Sequence, residues 1–166
     1  FEITWIGSSK AVEGNHVKTL ESKLLPGKNI KYYEINSGRL QRRFTRHTLL
    51  SLTKVPFGFF QAYSLVNKID PDVTISFGGF ISFPVVVSSW LKKVPIFIHE
   101  QTIAAGLANK MATIFATNIA LAREESIKYY GNKKTVWVGN PINPEILKIR
   151  RKTLKNPKPF LFITGG

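Results

Sequence analysis

Short apolar runs alternate with segments of helical period along the whole chain, and no other feature constrains the fold as much. The runs "FEITWIG", "NIKYYEI", "DVTISF", "VPIFIH", "TNIALA", "TVWVG" and "PFLFITGG" read as strands. Between them, residues 10–25, 46–69, 81–91, 104–116, 123–130 and 143–149 read as helices. Pro26-Gly27 stops the first. Pro56 is expected to kink or break the second, because proline cannot donate to the preceding turn. Strand then helix, joined by short Gly-rich connections, predicts a parallel sheet wrapped by helices. "PIFI" is apolar throughout rather than alternating, as strands covered on both faces are. Residues 73–91 carry no charge over about a bilayer-spanning length. Gly78-Gly79, Pro84 and several hydroxyls interrupt them, so they divide into strand, turn and helix rather than a membrane span.

In sheets of this kind, ligands sit outside the carboxyl ends of the strands. His99, Glu100 and Gln101 follow directly on "PIFI", Gly78-Gly79 follows "TISF", and Gly139-Asn140 follows "TVWV". A Gly-Gly pair lets backbone amides approach a phosphate at a helix N-terminus, or it is simply a tight turn. His99 reads equally as a core histidine held by a backbone bond, and Glu100 as an acid favoured at a helix start. Glu124-Glu125 reads as a first-turn acidic pair on a solvated helix, and His16 and His47 as surface residues. No spacing suggests a metal site, and no Ser-His-Asp order is visible.

A chain of 166 residues holds one domain, or one domain and the start of another. The absence of cysteine excludes disulfides and thiolate metal sites. "FEITWIGSSK" has neither the basic start nor the long apolar stretch of a signal peptide. The net charge of +14 implies an anionic partner. Nucleic acid is disfavoured because the basic residues match no recognisable RNA- or DNA-binding module. Residues 39–60 contain no acid and interleave Arg42, Arg43 and Arg46 with apolar residues that include Phe57, Phe59 and Phe60. They hold more apolar positions than one core-facing stripe needs, so part of the phenylalanine group is expected to be exposed and to meet an anionic membrane surface. A second basic cluster, Lys148 to Lys158, has few apolar neighbours and reads as a solvated linker.

Taken together, Gly78-Gly79-Phe80, His99-Glu100-Gln101-Thr102, Gly106-Leu107-Ala108-Asn109-Lys110, Val138-Gly139-Asn140-Pro141 and Gly165-Gly166 carry a resemblance over nearly the whole chain. The pattern resembles glycosyltransferase family 28, the bacterial enzymes that add N-acetylglucosamine (GlcNAc) to undecaprenyl-diphospho-muramoylpentapeptide. The resemblance implies the N-terminal half of a two-domain GT-B enzyme: a Rossmann-like parallel sheet with helices on both faces, its first strand missing. Residues 1–147 would form the acceptor domain, 148–158 a basic interdomain linker, and 159–166 the first strand of a truncated donor domain. The family's opening glycine loop and its histidine, and most of the donor site, would lie outside the chain, so the chain alone is expected to be inactive.

The implied chemistry is an inverting, metal-free transfer of GlcNAc from UDP-GlcNAc to the lipid-linked acceptor, with no cofactor, at the cytoplasmic face of the plasma membrane. By this resemblance His99 and Glu100 are the catalytic candidates. Gly78, Gly79, Phe80, Gln101, Thr102, Asn109, Asn140, Gly165 and Gly166 are the substrate-binding ones. An alternative is a non-catalytic, membrane-recruiting acceptor subunit of a split glycosyltransferase. Three positions depart from the family pattern: Phe80 for tyrosine, Thr102 for asparagine, and Asn143 where an arginine often stands.

Overall fold

The computed structural model describes residues 1–8, 19–35, 46–103, 107–130 and 134–148, with backbone alone for 46–55. Two parallel sheets carry the fold. In the smaller, β1 (Thr4–Gly7) pairs with β2 (Lys31–Glu34), Thr4 opposite Lys31 and Gly7 opposite Glu34. The connection includes α1 (Leu20–Leu24), whose first turn is capped by the Thr19 hydroxyl accepting from the Ser22 amide at 3.3 Å. In the larger sheet, β3 (Thr74–Ser76), β4 (Ile96–Glu100), β5 (Asn118–Leu121) and β6 (Thr135–Trp137) lie side by side in that order, all parallel. Among the described residues no backbone ladder joins β1 to β3. The Trp5 and Phe77 rings stack across that division, 5.9 Å apart.

The crossovers explain the parallel order. A long helix, α2 (Arg46–Ile69), precedes β3. The helices α3 (Ser82–Leu91), α4 (Leu107–Ala112) and α5 (Ile127–Tyr130) follow β3, β4 and β5 in turn, and α6 (Pro144–Leu147) follows β6 with Asn143 as its cap. Ile96 and Ile98 leave β4 on the same face, as a period of two requires. There they pack with Val86 of α3, Ala112 and Ala116, and Ile119 and Leu121 of β5. Phe83, Phe115, Ile127 and Tyr130 close the margin of this core. Phe97 and its register partner Ile75 stay exposed.

Among the described residues the expected elements are present with differences of extent. Of the helix expected at 10–25, α covers Leu20–Leu24, and Thr19 before it is extended. The helix at 46–69 is not broken at Pro56. Proline removes one hydrogen bond, to the turn before it, and a helix this long retains its other bonds. The helix expected at 104–116 stops at Ala112, its described α segment being Leu107–Ala112, and 123–130 begins as a 3₁₀ turn, Glu124–Ser126, before α5. The uncharged stretch 73–91 divides as expected into β3, the glycine turn and α3. Two of its hydroxyls are buried with partners: Ser89 meets Thr74 at 2.9 Å, and Ser88 donates to the Pro84 carbonyl at 2.7 Å. Among the described residues no helix is long and apolar enough to cross a membrane. The strand expected at 159–166 and most of the basic linker lie outside the described residues.

Ile98 is fully buried at the centre of the core. Ile98→Ala is expected to destabilise the protein by about 2–5 kcal/mol, through lost transfer energy plus the cavity left behind. Urea titration should show a lower midpoint at an unchanged slope.

Candidate functional site

Side chains alternate along a strand, so His99 and Glu100, adjacent at the end of β4, leave opposite faces of the sheet. Both are buried. They do not form a pair, and each organises a different neighbourhood.

Glu100 lies on the helical face with Ile98. Its Oε1 accepts from the Thr102 amide at 2.9 Å and the Thr102 hydroxyl at 2.6 Å. Its Oε2 accepts from Asn109 Nδ2 at 2.7 Å and the Tyr130 hydroxyl at 2.8 Å. None of the four donors carries a charge. Burial pushes the Glu100 carboxyl up, but the bonds from Thr102, Asn109 and Tyr130 outweigh it and hold the group below the ordinary carboxylate range. The same contact works the other way on the phenol: burial and donation to Glu100 push Tyr130 well above the usual tyrosine range. The turn that Glu100 grips is held from its other side too, because the buried Ser126 hydroxyl donates to the Thr102 carbonyl at 3.2 Å.

His99 faces the other side. Its Nε2 lies 3.1 Å from the Gly139 carbonyl. A carbonyl only accepts, so Nε2 carries a hydrogen. His99 Nδ1 is buried and has no hydrogen-bond partner among the described residues. The ring meets Phe77 edge-on at 5.9 Å, which extends the Trp5–Phe77 stack to the end of β4. Gly139 sits at a positive φ of 79°, where glycine is favoured. The bond from His99 therefore ties the turn after β6 to the end of β4 across the sheet.

The glycine turn completes the edge. Gly78 and Gly79 both have positive φ, 89° and 86°. The Gly78 amide donates to Ser76 Oγ at 3.2 Å, so it serves the turn itself. A β carbon at Gly78 would lie 2.5 Å from Asn109 Oδ1, whereas one at Gly79 would meet nothing within 4 Å. The structure thus brings Gly78, Asn109, Glu100 and Thr102 together in one connected group. Gln101, between Glu100 and Thr102, and Asn140, next to Gly139, are exposed, and Phe80 is half-buried. Phe57 and Phe60 are exposed on α2, at 56% and 76%, while Phe59 turns inward against Phe83 at 5.9 Å. Arg42, Arg43, Gly165 and Gly166 lie outside the described residues, as does the side chain of Arg46. Among the described residues no group of three or more His, Asp or Glu side chains is placed to hold a metal ion.

Sequence reasoning missed Tyr130, Ser126 and Phe77. Tyr130 lies 30 residues from Glu100 in a short helix, and nothing local distinguishes it from the exposed Tyr129 beside it.

A parallel α/β domain whose polar residues gather at the carboxyl ends of its strands is the class of protein these features define. The family description "Glycosyltransferase family 28 N-terminal domain" matches residues 9–121. A curated relative from Clostridium botulinum (strain 657 / Type Ba4), a UDP-N-acetylglucosamine–N-acetylmuramyl-(pentapeptide) pyrophosphoryl-undecaprenol N-acetylglucosamine transferase, is 38% identical across 100% of this chain and 46% of its own length. A relative of the same name, numbered 2, from Bacillus cereus (strain ATCC 14579) is 37% identical across 100% of this chain and 47% of its own. The chain thus spans about half the length of the curated relatives it matches. The crystal structure of Acinetobacter baumannii MurG superposes with a TM-score of 0.61 at 22% identity, covering 86% of this chain and 37% of that one. The chain belongs to glycosyltransferase family 28, through the N-terminal domain of that family.

Two outcomes follow from the site. Gly78→Ala should destabilise more than Gly79→Ala in thermal melts: both substitutions meet an unfavourable left-handed backbone, of order 1–2 kcal/mol, but only the first also drives a methyl into Asn109. For Glu100, a depressed folded-state value means its contribution is fully present above the unfolded-state value of about 4.3 and is lost as pH falls through the folded one. Glu100→Gln should therefore be less stable at neutral pH and show a flatter acid limb. An acid limb parallel to that of the unsubstituted protein would contradict the assignment.

Proposed function

We propose that the protein transfers GlcNAc from UDP-GlcNAc to the C4 hydroxyl of the N-acetylmuramyl sugar of a lipid-linked diphosphate acceptor, with this chain supplying the acceptor side of the cleft. The observation that carries the reading is identity of 37–38% over the whole chain to relatives named as N-acetylglucosamine transferases acting between UDP-GlcNAc and N-acetylmuramyl-(pentapeptide) pyrophosphoryl-undecaprenol. In the reaction the acceptor oxygen attacks C1 of GlcNAc, the bond from C1 to the UDP oxygen breaks, and UDP leaves with the electron pair. A base takes the hydroxyl proton, and fixed dipoles stabilise the charge growing on the diphosphate. Gly79, Phe80, Gln101, Thr102, Asn109 and Asn140 are the acceptor-side contacts in this reading. His99 shapes the cleft through Gly139, and Gly165 and Gly166 open the donor loop. UDP-GlcNAc is held mainly by the donor half.

The domain works at an anionic membrane, on its cytoplasmic face, as a peripheral protein. Two exposed phenylalanines, Phe57 and Phe60, support this, as do the exposed Trp90 and Leu91 on α3, which packs beside α2. With Arg42, Arg43 and Arg46 preceding them in an acid-free segment, apolar insertion and cation–headgroup attraction would act together.

The transfer is tested in the full-length protein with radiolabelled UDP-GlcNAc and a lipid-linked muramyl-pentapeptide acceptor. Label should enter the lipid fraction and require the diphosphate acceptor. Equal transfer from UDP-glucose or UDP-N-acetylgalactosamine would overturn the donor assignment, and transfer to a free sugar acceptor would overturn the acceptor one. For the membrane, Phe57→Ser with Phe60→Ser should lower partitioning into phosphatidylglycerol vesicles by about tenfold or more per ring. Unchanged co-sedimentation would remove α2 from the contact.

A further inference from the structure

The Asn109 side chain is held in an arrangement that does not satisfy its own bonding. Glu100 Oε2 can only accept, so it fixes Nδ2 toward itself at 2.7 Å. The carbonyl end, Oδ1, is thereby left buried without a partner among the described residues. Leaving a buried acceptor bare is unfavourable, and a side-chain amide turns easily to avoid it. Here the charge-assisted bond to Glu100 prevents that rotation. The amide is pressed instead against Gly78, where even one additional carbon would collide with it. Glu100 is held in its turn by the Tyr130 hydroxyl at 2.8 Å, from an aromatic ring packed at the margin of the core. Its other oxygen grips Thr102, whose carbonyl is held by Ser126. The chain of contacts runs from Tyr130 through Glu100 to Asn109 and ends under the Gly78-Gly79 turn.

We propose that Tyr130 and Glu100 are positioning residues of the cleft, which lock the Asn109 amide beneath the Gly78-Gly79 turn and the Thr102 turn beside it, so that these two turns form one rigid receiving edge for the lipid-linked diphosphate acceptor. The proposal rests on the function given above. It assigns Glu100 no part in proton transfer, because four donors already occupy its two oxygens.

The test uses the full-length protein and two independent readouts. The first does not depend on activity. In protein labelled with ¹⁵N at asparagine, the Asn109 Nδ2 protons should exchange about tenfold faster with solvent in Tyr130→Phe than in the unsubstituted protein. The second is kinetic. Tyr130→Phe should raise KM for the acceptor about tenfold, with KM for UDP-GlcNAc unchanged and kcat within about twofold. Adding Asn109→Ala to Tyr130→Phe should cost no more than Asn109→Ala alone, because both act through one contact. Thr102→Val, which removes the hydroxyl donor to Glu100 Oε1, should also speed the Asn109 Nδ2 exchange.

Tyr130→Phe retains the ring in the core. Where it lowers the melting temperature, exchange is read on the folded fraction, and Thr102→Val supplies the same exchange comparison without touching the core. Unchanged exchange, additive losses, or a fall in kcat at constant acceptor KM would overturn the proposal. So would a loss of kcat beyond about a thousandfold in Glu100→Gln at constant acceptor KM, which identifies a base. A protein that transfers no sugar at all would refute the functional reading, and the exchange measurement would still decide the positioning role.

Discussion

A single buried carboxylate holds the site together. Withdrawing Glu100 from water is unfavourable by several kcal/mol unless its lone pairs are met. Here they are met by four neutral donors rather than by a cation. Donors from the turn after β4, from α4 and from α5 must therefore converge on one point. That requirement fixes where the turn leaves the strand, how α4 sits over the sheet, and why the last residue of α5 faces inward. An ion pair could have satisfied the charge with one partner. Four dipoles satisfy it only when three separate segments are in place, so the interaction demands geometry as well as energy.

The alternation of a strand then divides the labour at the end of β4. Glu100 works on the helical face, within the packed core. His99 works on the opposite face, through Phe77 toward β1 and through Nε2 toward the turn after β6. Adjacent in sequence, the two residues serve separate halves of the edge: one bonds Thr102 in the turn after β4 and Asn109 beneath Gly78, the other joins the outer strand's turn to the centre of the sheet. Of the exposed apolar side chains, Phe57 and Phe60 lie on α2, and Trp90 and Leu91 on α3. The side chains proposed above to meet a membrane and the edge proposed to receive a polar substrate are on different elements of one domain.

The strand and helix order, the parallel sheet and the sheet edge that carries the candidate site were legible in the sequence, because each follows from local rules. Apolar runs such as "PIFI" have no stable home but a covered strand. A crossover helix forces parallel pairing, and parallel pairing puts every strand's carboxyl end on one edge. Gly78-Gly79, His99-Glu100 and Gly139 were therefore recognisable as neighbours on one edge of the sheet from their places in the chain alone. What each does there was not. Glu100 was readable as a helix-start acid or as a catalytic group. Its contact with Tyr130, and the bare carbonyl of Asn109 against Gly78, depend on distances between segments up to 30 residues apart. The continuity of α2 through Pro56 had the same character, since the local penalty of one proline is set against the bonds of a whole helix. The sequence by itself determined which residues reach the edge, because strand ends follow from local pattern. Only the tertiary structure decided which of them touch, because hydrogen bonds act over about 3 Å and nothing along the chain specifies a separation that short.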